Sequence, residues 1–146
     1  MKTEIPISQI MSEQIFKVTP GTSLRKIKEI LDMHSFHHLP VVNGDGKIQG
    51  IIGKEDVLQA INQISQNTSG KTWTSIRMTE VTATDIMTPQ PVVLDPEDHI
   101  GLAADLFLAN KFHAAPVVED ERVVGIVTTH DLLHYAFKSI GPAEMA

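Results

Sequence analysis

The stretch FHHLPVV at residues 36–42 decides the fold, because the chain writes it again as FHAAPVV at residues 112–118. Both copies keep the Phe-His step, the Pro and the paired Val, whereas His38 of the first copy is replaced by Ala114 in the second. A repeat at this spacing predicts two copies of one structural unit.

The two copies extend well beyond this stretch. An offset of 76 relates the chain up to the PVV step, and the turn at 43–47 is one residue longer than its counterpart at 119–122, so an offset of 75 relates the rest. A hairpin loop is where such a length change is tolerated. The aligned pairs include Ile10 with Ile86, Met11 with Met87, Pro20 with Pro96, Gly50 with Gly125 and Asp56 with Asp131.

Each copy is predicted to form strand, helix, strand, strand and helix. Short strands at 16–18 and 92–94 precede helices whose apolar residues recur at helical spacing, and Thr22 and Asp98 are predicted to cap these helices. Hairpins follow at 39–42 with 48–52 and at 115–118 with 123–127, before closing helices that begin near Lys54 and Thr129. The fold class is therefore α/β in the α+β sense. The predicted apolar helix positions are Leu24, Ile27, Ile30, Leu31, Val57, Leu58 and Ile61, and Ile100, Ala103, Ala104, Phe107, Leu108, Leu132, Leu133 and Phe137.

The predicted organisation is a first motif at 1–61, a polar connector at 62–80 and a second motif at 81–146. One motif buries little surface, so the two are expected to pack face to face. The connector holds the single Trp, Trp73, which we expect on a domain surface or against a partner subunit.

Composition excludes several function classes. The formal charge of -6 and the lack of a dense Lys/Arg cluster argue against nucleic acid. Apolar runs of four or five residues fall far short of the roughly 20 that span a bilayer, and no signal peptide is visible at the first residues. With no Cys to form a disulfide, the expected location is the cytoplasm.

These residues resemble a tandem pair of cystathionine-beta-synthase (CBS) domains, a Bateman module. The features that carry the resemblance are the Ile-Met-Ser/Thr opening, the Pro-Val-Val strand after a His-containing step, and the pattern Gly-hydrophobic-hydrophobic-x-x-x-Asp at the third strand and helix start, all present twice. The resemblance implies pseudo-twofold packing, frequent dimerisation, and two clefts that bind AMP, ADP, ATP or S-adenosylmethionine. It also implies that each cleft uses the Ser/Thr-x-x-Asp step of one copy with the opening strand and pre-Pro residues of the other.

The cleft around Asp131 is predicted to be the stronger one. Thr128 and Asp131 open a helix, where unpaired backbone N–H groups favour a phosphate, and the resemblance implies that Asp131 accepts from ribose hydroxyls. It places adenine near Phe16 and Phe36, and phosphate near His37 and His38. The predicted members of this cleft are Thr128, His130, Asp131, Ile126, Met11, Ser12, Phe16, Phe36, His37 and His38.

The second cleft departs from the family pattern. Gly53 stands where Ser or Thr is usual, Ala114 offers no donor, and Glu55 adds a repelling charge, although Asp56 and Lys54 remain for ribose and phosphate. Two missing donors would weaken binding of a charged group. The predicted members of this weaker cleft are Asp56, Lys54, Ile51, Met87, Thr88, Val92, Phe112 and His113.

Structural roles stay open beside these. Asp56 and Asp131 are placed to cap helices whether or not a ligand binds, and His113 suits a packing role. Phe36 and Phe112 suit core or cleft wall. His130 and His134 are four residues apart on one helix, but the sequence places no third ligand for a metal.

The favoured function is a regulatory adenosine-nucleotide sensor that signals to a separate, unidentified effector protein and needs no cofactor. A structural or dimerisation protein of the same fold without ligand is the alternative. An enzyme, such as a phosphohydrolase using His130 and Asp131, is disfavoured because the sequence has no Walker-type loop, nucleophile elbow or metal triad.

Overall fold

The structure is a computed structural model that describes residues 3–67 and 70–138. The first helix, the hairpin and the closing helix of each copy form as the repeat predicts, and the structure adds a short 3-10 turn at Ile7–Gln9, two helices between the copies and a two-residue strand after them. In chain order the helices and strands are α1 (Leu24–Met33), β1 (His38–Val42), β2 (Ile48–Gly53), α2 (Lys54–Asn67), α3 (Lys71–Glu80), α4 (Ala83–Ile86), β3 (Thr88–Pro89), α5 (Ile100–Ala109), β4 (Ala114–Glu119), β5 (Arg122–Thr128) and α6 (Thr129–Lys138).

The described residues form two compact units, which exchange segments relative to the repeat. The repeat-1 unit contains residues 15–67 and 70–91, and the repeat-2 unit contains 3–14 and 92–138. The predicted boundaries follow the sequence repeat, whereas the N-terminal segment belongs spatially with the second copy and the α3–β3 segment with the first.

In the repeat-1 unit, β1 pairs antiparallel with β2, and β3 pairs with the other edge of β2. Helix α1 begins after Ser23, whose hydroxyl accepts from Lys26 N at 3.1 Å. The core lies between the helices and the sheet, and includes Leu24, Ile27, Leu39, Val41 and Ile52, each with no exposed surface.

In the repeat-2 unit, β4 pairs antiparallel with β5, and Ser12 of the N-terminal segment bridges Ile126 in β5. Ile7 of the same segment is fully buried in a core with Ile100, Ala103, Val117 and Val127. The first copy of the sequence therefore supplies a core residue to the second unit.

Some local predictions were wrong. The strands at 16–18 and 92–94 reduce to single parallel bridges, from Val18 to Val41 and from Leu94 to Val117. Ser23, not Thr22, caps α1, and Asp98 Oδ2 accepts from Asp95 N instead of capping α5. The side chains of Thr22 and Asp98 are both bonded within the turn before the helix, because Thr22 Oγ1 accepts from Thr19 N in the same way as Asp98 accepts from Asp95 N.

The predicted connector at 62–80 is largely helical. Helix α2 continues to Asn67, and α3 packs on α1 and α2 with Met78 buried in the repeat-1 core. Trp73 is 60% exposed on α3. The sequence predicts a connector here because the segment is polar and rich in Ser, Thr and Gln.

Several predicted apolar helix positions do not reach a core. Leu108 is 86% exposed, Phe137 71%, Leu133 56% and Leu58 53%. No helix within 3–67 or 70–138 is both long and apolar enough to cross a membrane.

Candidate functional site

The strongest local feature of the repeat-2 unit is a reciprocal hydrogen-bonded pair where β5 becomes α6. Thr128 N donates to Asp131 Oδ2 at 2.9 Å, and Asp131 N donates to Thr128 Oγ1 at 3.1 Å. This is a capping box, in which the first and fourth residues satisfy each other's backbone N–H groups. Asp131 therefore has the predicted helix-capping role, and the capping bond uses Oδ2 of its carboxylate.

The repeat-1 unit has only half of this arrangement. Gly53 N donates to Asp56 Oδ2 at 2.7 Å, but glycine has no hydroxyl to accept from Asp56 N in return. A backbone N–H three residues earlier thus holds the Asp56 carboxylate, as it holds that of Asp131. Both carboxylates lie at a helix N-terminus, where the helix dipole favours negative charge on a side chain or ligand.

The His-containing step of each copy is attached to the same helix start by the backbone. Lys54 N donates to His37 O, and Thr129 N donates to His113 O, both at 2.9 Å. The hairpin register sets His38 opposite Gly53 and Ala114 opposite Thr128. His38 and Ala114 are therefore direct cross-strand neighbours of Gly53 and Thr128, the residues that open the two capping motifs.

A strand segment from the other sequence copy lies on each glycine of the repeated Gly-Ile step. Ser12 N donates to Ile126 O at 2.8 Å and Ile126 N donates to Ser12 O at 3.0 Å. A Cβ on Gly125 would lie 2.9 Å from Ser12 O, and one on Gly50 would lie 2.8 Å from Thr88 O. Both glycines are required because the neighbouring backbone approaches where a side chain would be.

The structure brings together about half of the predicted members of each cleft. For the Asp131 cleft, the repeat-2 unit contains Met11, Ser12, Ile126, Thr128, His130 and Asp131, whereas Phe16, Phe36, His37 and His38 belong to the repeat-1 unit. For the Asp56 cleft, the repeat-1 unit contains Ile51, Lys54, Asp56, Met87 and Thr88, whereas Val92, Phe112 and His113 belong to the repeat-2 unit.

His38 lies beside residues assigned to the other predicted cleft. A Cβ on Gly53 would be 3.6 Å from His38 Cδ2, 3.8 Å from His38 Nε2 and 3.5 Å from Asp56 Oδ2. His38 lies opposite Gly53 in the repeat-1 unit, and Ala114 lies opposite Thr128 in the repeat-2 unit. Ala114, which replaces the histidine, and Gly53, which replaces the hydroxyl residue, therefore belong to different units. That His38 also serves a ligand held by Asp131 stays a prediction.

An aromatic cluster in the repeat-1 unit includes one residue that the sequence reasoning missed. The ring centroids of Phe16, His34 and Phe36 are 5.4 to 6.3 Å apart, within the range of favourable ring contacts. His34 follows the last residue of α1, where no repeated motif marked it; its counterpart in the second copy is Asn110. Phe112, by contrast, packs edge-on against buried Phe107 with centroids 5.7 Å apart, which supports a core role.

Charges around the two helix starts differ. Helix α2 opens with Lys54, Glu55 and Asp56, and α6 opens with Thr129, His130 and Asp131. The rings of His130 and His134 are 6.5 Å apart, and the described part of the chain contains no group of three or more His, Cys, Asp or Glu placed to hold a metal ion.

A CBS-domain family model matches residues 7–63 and 83–138, so this chain belongs to the CBS domain family and carries a tandem pair. A CBS domain-containing protein of Dictyostelium discoideum is 29% identical over 95% of this chain and 96% of its own length. The homoserine O-acetyltransferase of Methanohalobium evestigatum is 28% identical over 86% of this chain, which spans only 23% of that enzyme. The match to the enzyme thus covers a CBS part of a longer protein.

Solved structures share the fold. The structure of CBSX2 in complex with AMP has a TM-score of 0.74 and 25% identity, and the alignment covers 92% of this chain and 98% of that chain. The CBS pair of protein MJ0100, in complex with 5'-methylthioadenosine and S-adenosyl-L-methionine, has a TM-score of 0.74 and 26% identity over 90% of this chain and 94% of that one. An acetoin utilization protein from Vibrio cholerae, with a TM-score of 0.76 at 21% identity over 97% of both chains, supports the fold alone.

Proposed function

We propose that this chain is a regulatory module that binds an adenosine-containing ligand and signals its presence to a separate effector protein. The observation that carries the proposal is the motif at the start of α6, where Asp131 is held by Thr128 beside a strand of the other sequence copy. CBS pairs similar to this chain were solved with AMP and with S-adenosyl-L-methionine, which supports an adenosine-based ligand.

The proposed roles follow from the geometry of each group. The capping bond fixes the orientation of the Asp131 carboxylate and uses Oδ2, which leaves Oδ1 as the acceptor for ribose hydroxyls. The Thr128 hydroxyl accepts from Asp131 N, so its own proton is available to donate to a ligand oxygen. The predicted phosphate contact does not rest on the first amides of α6, because Thr129 N donates to His113 O and Asp131 N donates to Thr128 Oγ1. Phe16 and Phe36 remain the proposed adenine contacts, and Asp56 the second ribose acceptor.

Isothermal titration of the full chain with AMP, ADP, ATP and S-adenosylmethionine tests the proposal. We expect saturable binding of at least one of these, and a rise in thermal stability in its presence, since a ligand at 100 times its Kd adds about 2.7 kcal/mol to the native state. The matched control is adenine alone, which has no ribose for Asp131 to accept from. Absence of binding by every ligand at millimolar concentration would refute the proposal.

The second candidate is a structural protein of this fold that binds no nucleotide. The capping geometry favours it, because helix capping alone accounts for both motif carboxylates. Titration separates the two candidates, since only the sensor binds.

We also propose that the module forms a homodimer through apolar helix residues that its own units leave exposed. Four of these exposed residues lie on α5 and α6, and exposed apolar side chains that gather into a patch are typical of protein interfaces. Sedimentation velocity of wild type and of a Phe137→Asp variant tests this: we expect dimer and monomer, respectively, and a monomeric wild type would refute it. The exposed residues are Leu102, Leu108, Leu133 and Phe137 in the repeat-2 unit and Met33, Leu58, Trp73 and Ile76 in the repeat-1 unit.

A further inference from the structure

A cavity in the repeat-1 unit shares no residue with either predicted cleft. It lies where α2 packs against α3 and α4, and residues of these three helices and of the link between α3 and α4 line it. Its volume of about 480 Å³ falls within the range of about 300–1,000 Å³ that is typical of small-molecule sites. The cavity is therefore a feature of the unit that the proposed function does not use.

One part of the cavity lining is aliphatic. Ala60 and Ile64 lie one turn apart on α2, Val81 follows the last residue of α3, and Ile86 ends α4. Ile64 is buried, and the other three are half-buried. An aliphatic group that packs on these side chains leaves water, and this transfer favours binding in proportion to the apolar area that is covered.

Two side chains of opposite charge line the same cavity, Arg77 from α3 and Asp85 from α4. Arg77 Nη1 donates to Glu80 Oε2 at 3.2 Å, and Asp85 Oδ2 accepts from Thr82 N at 2.8 Å. Among the residues that the structure describes, no ion pair joins Arg77 to Asp85. A guanidinium has five N–H donors and a carboxylate has two acceptor oxygens, so each group is held by one bond and keeps other atoms for a ligand.

This combination of groups favours a zwitterion with an aliphatic body. An anion is attracted by Arg77 but repelled by Asp85, and a cation meets the reverse. None of the described residues that line the cavity is aromatic, so the lining offers a nucleobase no ring to stack on. A free α-amino acid carries a carboxylate, an ammonium and a side chain on one carbon, and these match the three parts of the lining.

We propose that this cavity binds a free α-amino acid with an aliphatic side chain. The carboxylate contacts Arg77, and the ammonium contacts Asp85. The aliphatic side chain packs on Ile64, Val81 and Ile86. Because Arg77 and Asp85 are exposed, solvent and salt weaken their contacts, and the aliphatic packing supplies much of the affinity. The site is independent of the proposed nucleotide function.

NMR titration of the full chain with L-leucine tests the proposal, because backbone amide shifts report both affinity and location. Three related probes each lack one part of the ligand: isocaproate has no ammonium, isoamylamine has no carboxylate, and glycine has no side chain. We expect saturable shifts centred on α2, α3 and α4 for L-leucine at millimolar concentration. Each of the three related probes should bind at least about threefold more weakly.

Three variants change the cavity, and two matched variants serve as controls. Arg77→Gln and Asp85→Asn each remove one charge with little change of shape, and Asn keeps an oxygen for the bond at the start of α4. Ala60→Leu places a larger side chain in the cavity. Arg25→Gln and Asp45→Asn are the controls, because both residues are exposed in the same unit and do not line the cavity. We expect L-leucine affinity to fall at least about threefold in each cavity variant and to stay within about twofold of wild type in the controls.

Several outcomes would overturn the inference. One is the absence of saturable L-leucine binding at millimolar concentration. Another is binding that the cavity variants leave at the wild-type affinity, because the amino acid then lies elsewhere. Isocaproate or isoamylamine that binds as tightly as L-leucine would overturn the zwitterion assignment. If Ala60→Leu does not fold, the two charge variants decide. A chain that binds L-leucine but no adenosine ligand supports this site and refutes only the proposed function.

Discussion

Asp131 caps α6 and is proposed to bind ribose, and one substitution separates the two roles. The capping bond needs only one acceptor oxygen, whereas the proposed ribose contact needs the remaining oxygen of the carboxylate. Asp131→Asn keeps an oxygen that can accept from Thr128 N, now 2.9 Å from Oδ2, and it removes the negative charge from the first turn of α6. Asp131→Ala removes the acceptor as well. The two variants therefore differ in the helix cap and agree in losing the carboxylate.

The expected effects on stability follow from those bonds. Loss of a favourable charge at a helix N-terminus costs about 0.3–1 kcal/mol, so Asp131→Asn should lower the unfolding free energy by that amount. Asp131→Ala also loses a part-buried hydrogen bond to a charged acceptor, which raises the cost to about 2 kcal/mol. At about 2–4 °C per kcal/mol, the Tm should fall by at most about 4 °C for Asn and by about 4–8 °C for Ala.

Ligand affinity should follow a different order. If Asp131 accepts from ribose, both variants lose about tenfold or more in affinity for an adenosine ligand, because Asn lacks the second acceptor oxygen. Thermal melts give the stability and isothermal titration gives the affinity, with Asp105→Asn as the control for an exposed helical carboxylate in the same unit. An Asn variant that binds as wild type does, beside an Ala variant that only unfolds earlier, would show that Asp131 is a helix cap and nothing more.

Three further predictions concern the same elements. Gly53→Ser should raise the unfolding free energy by about 1 kcal/mol, because it completes the capping box and stiffens the unfolded chain. Urea titration measures this free energy. A lower value than that of wild type would mean that the site, where a Cβ has contacts at 3.5–3.8 Å, does not accommodate the side chain. Gly125→Ala should destabilise the protein by at least about 1 kcal/mol, since its Cβ would meet Ser12 O at 2.9 Å, and a neutral result in the same assay would refute that close approach. Leu39→Ala should cost about 2–5 kcal/mol because Leu39 is fully buried, whereas Leu108→Ala at an 86% exposed position should cost the monomer little.

The repeat and its regular elements could be predicted because their signals are local. Leu24, Ile27, Ile30 and Leu31 recur at helical spacing, and all four are buried in the repeat-1 core. The hairpins follow from short apolar runs on either side of turn residues, so no bound differs from the prediction by more than one residue.

Elements that depend on distant partners were not visible in the sequence. Helix α3 has a weak apolar face and is held mainly by Met78 against α1 and α2. Strand β3 is two residues long and exists only because Gly50 and Ile51 lie beside it. A strand of two residues is too short for sequence periodicity to predict.

For the candidate site, the sequence analysis missed one neighbour of His38. The hairpin of its own copy places His38 opposite Gly53, and its place beside a ligand held by Thr128 and Asp131 stays a prediction. The signal was present, because pairing Leu39 with Ile52 across the turn leaves His38 opposite Gly53 by simple counting. Cross-strand register is more reliable evidence for proximity than likeness between repeat positions.

We expect the proposed sensor to respond to ligand binding through the segments that the two units exchange. Ser12, from the first sequence copy, is bonded to Ile126, five residues before Asp131, and Thr88, from the second copy, pairs with Ile51, five residues before Asp56. Each motif carboxylate thus lies close in sequence to a strand on which the other copy packs. We expect a ligand bound at either helix start to act also on the paired segment, which continues covalently into the other unit. Such a ligand can shift the population of states only by as much as its affinity for them differs.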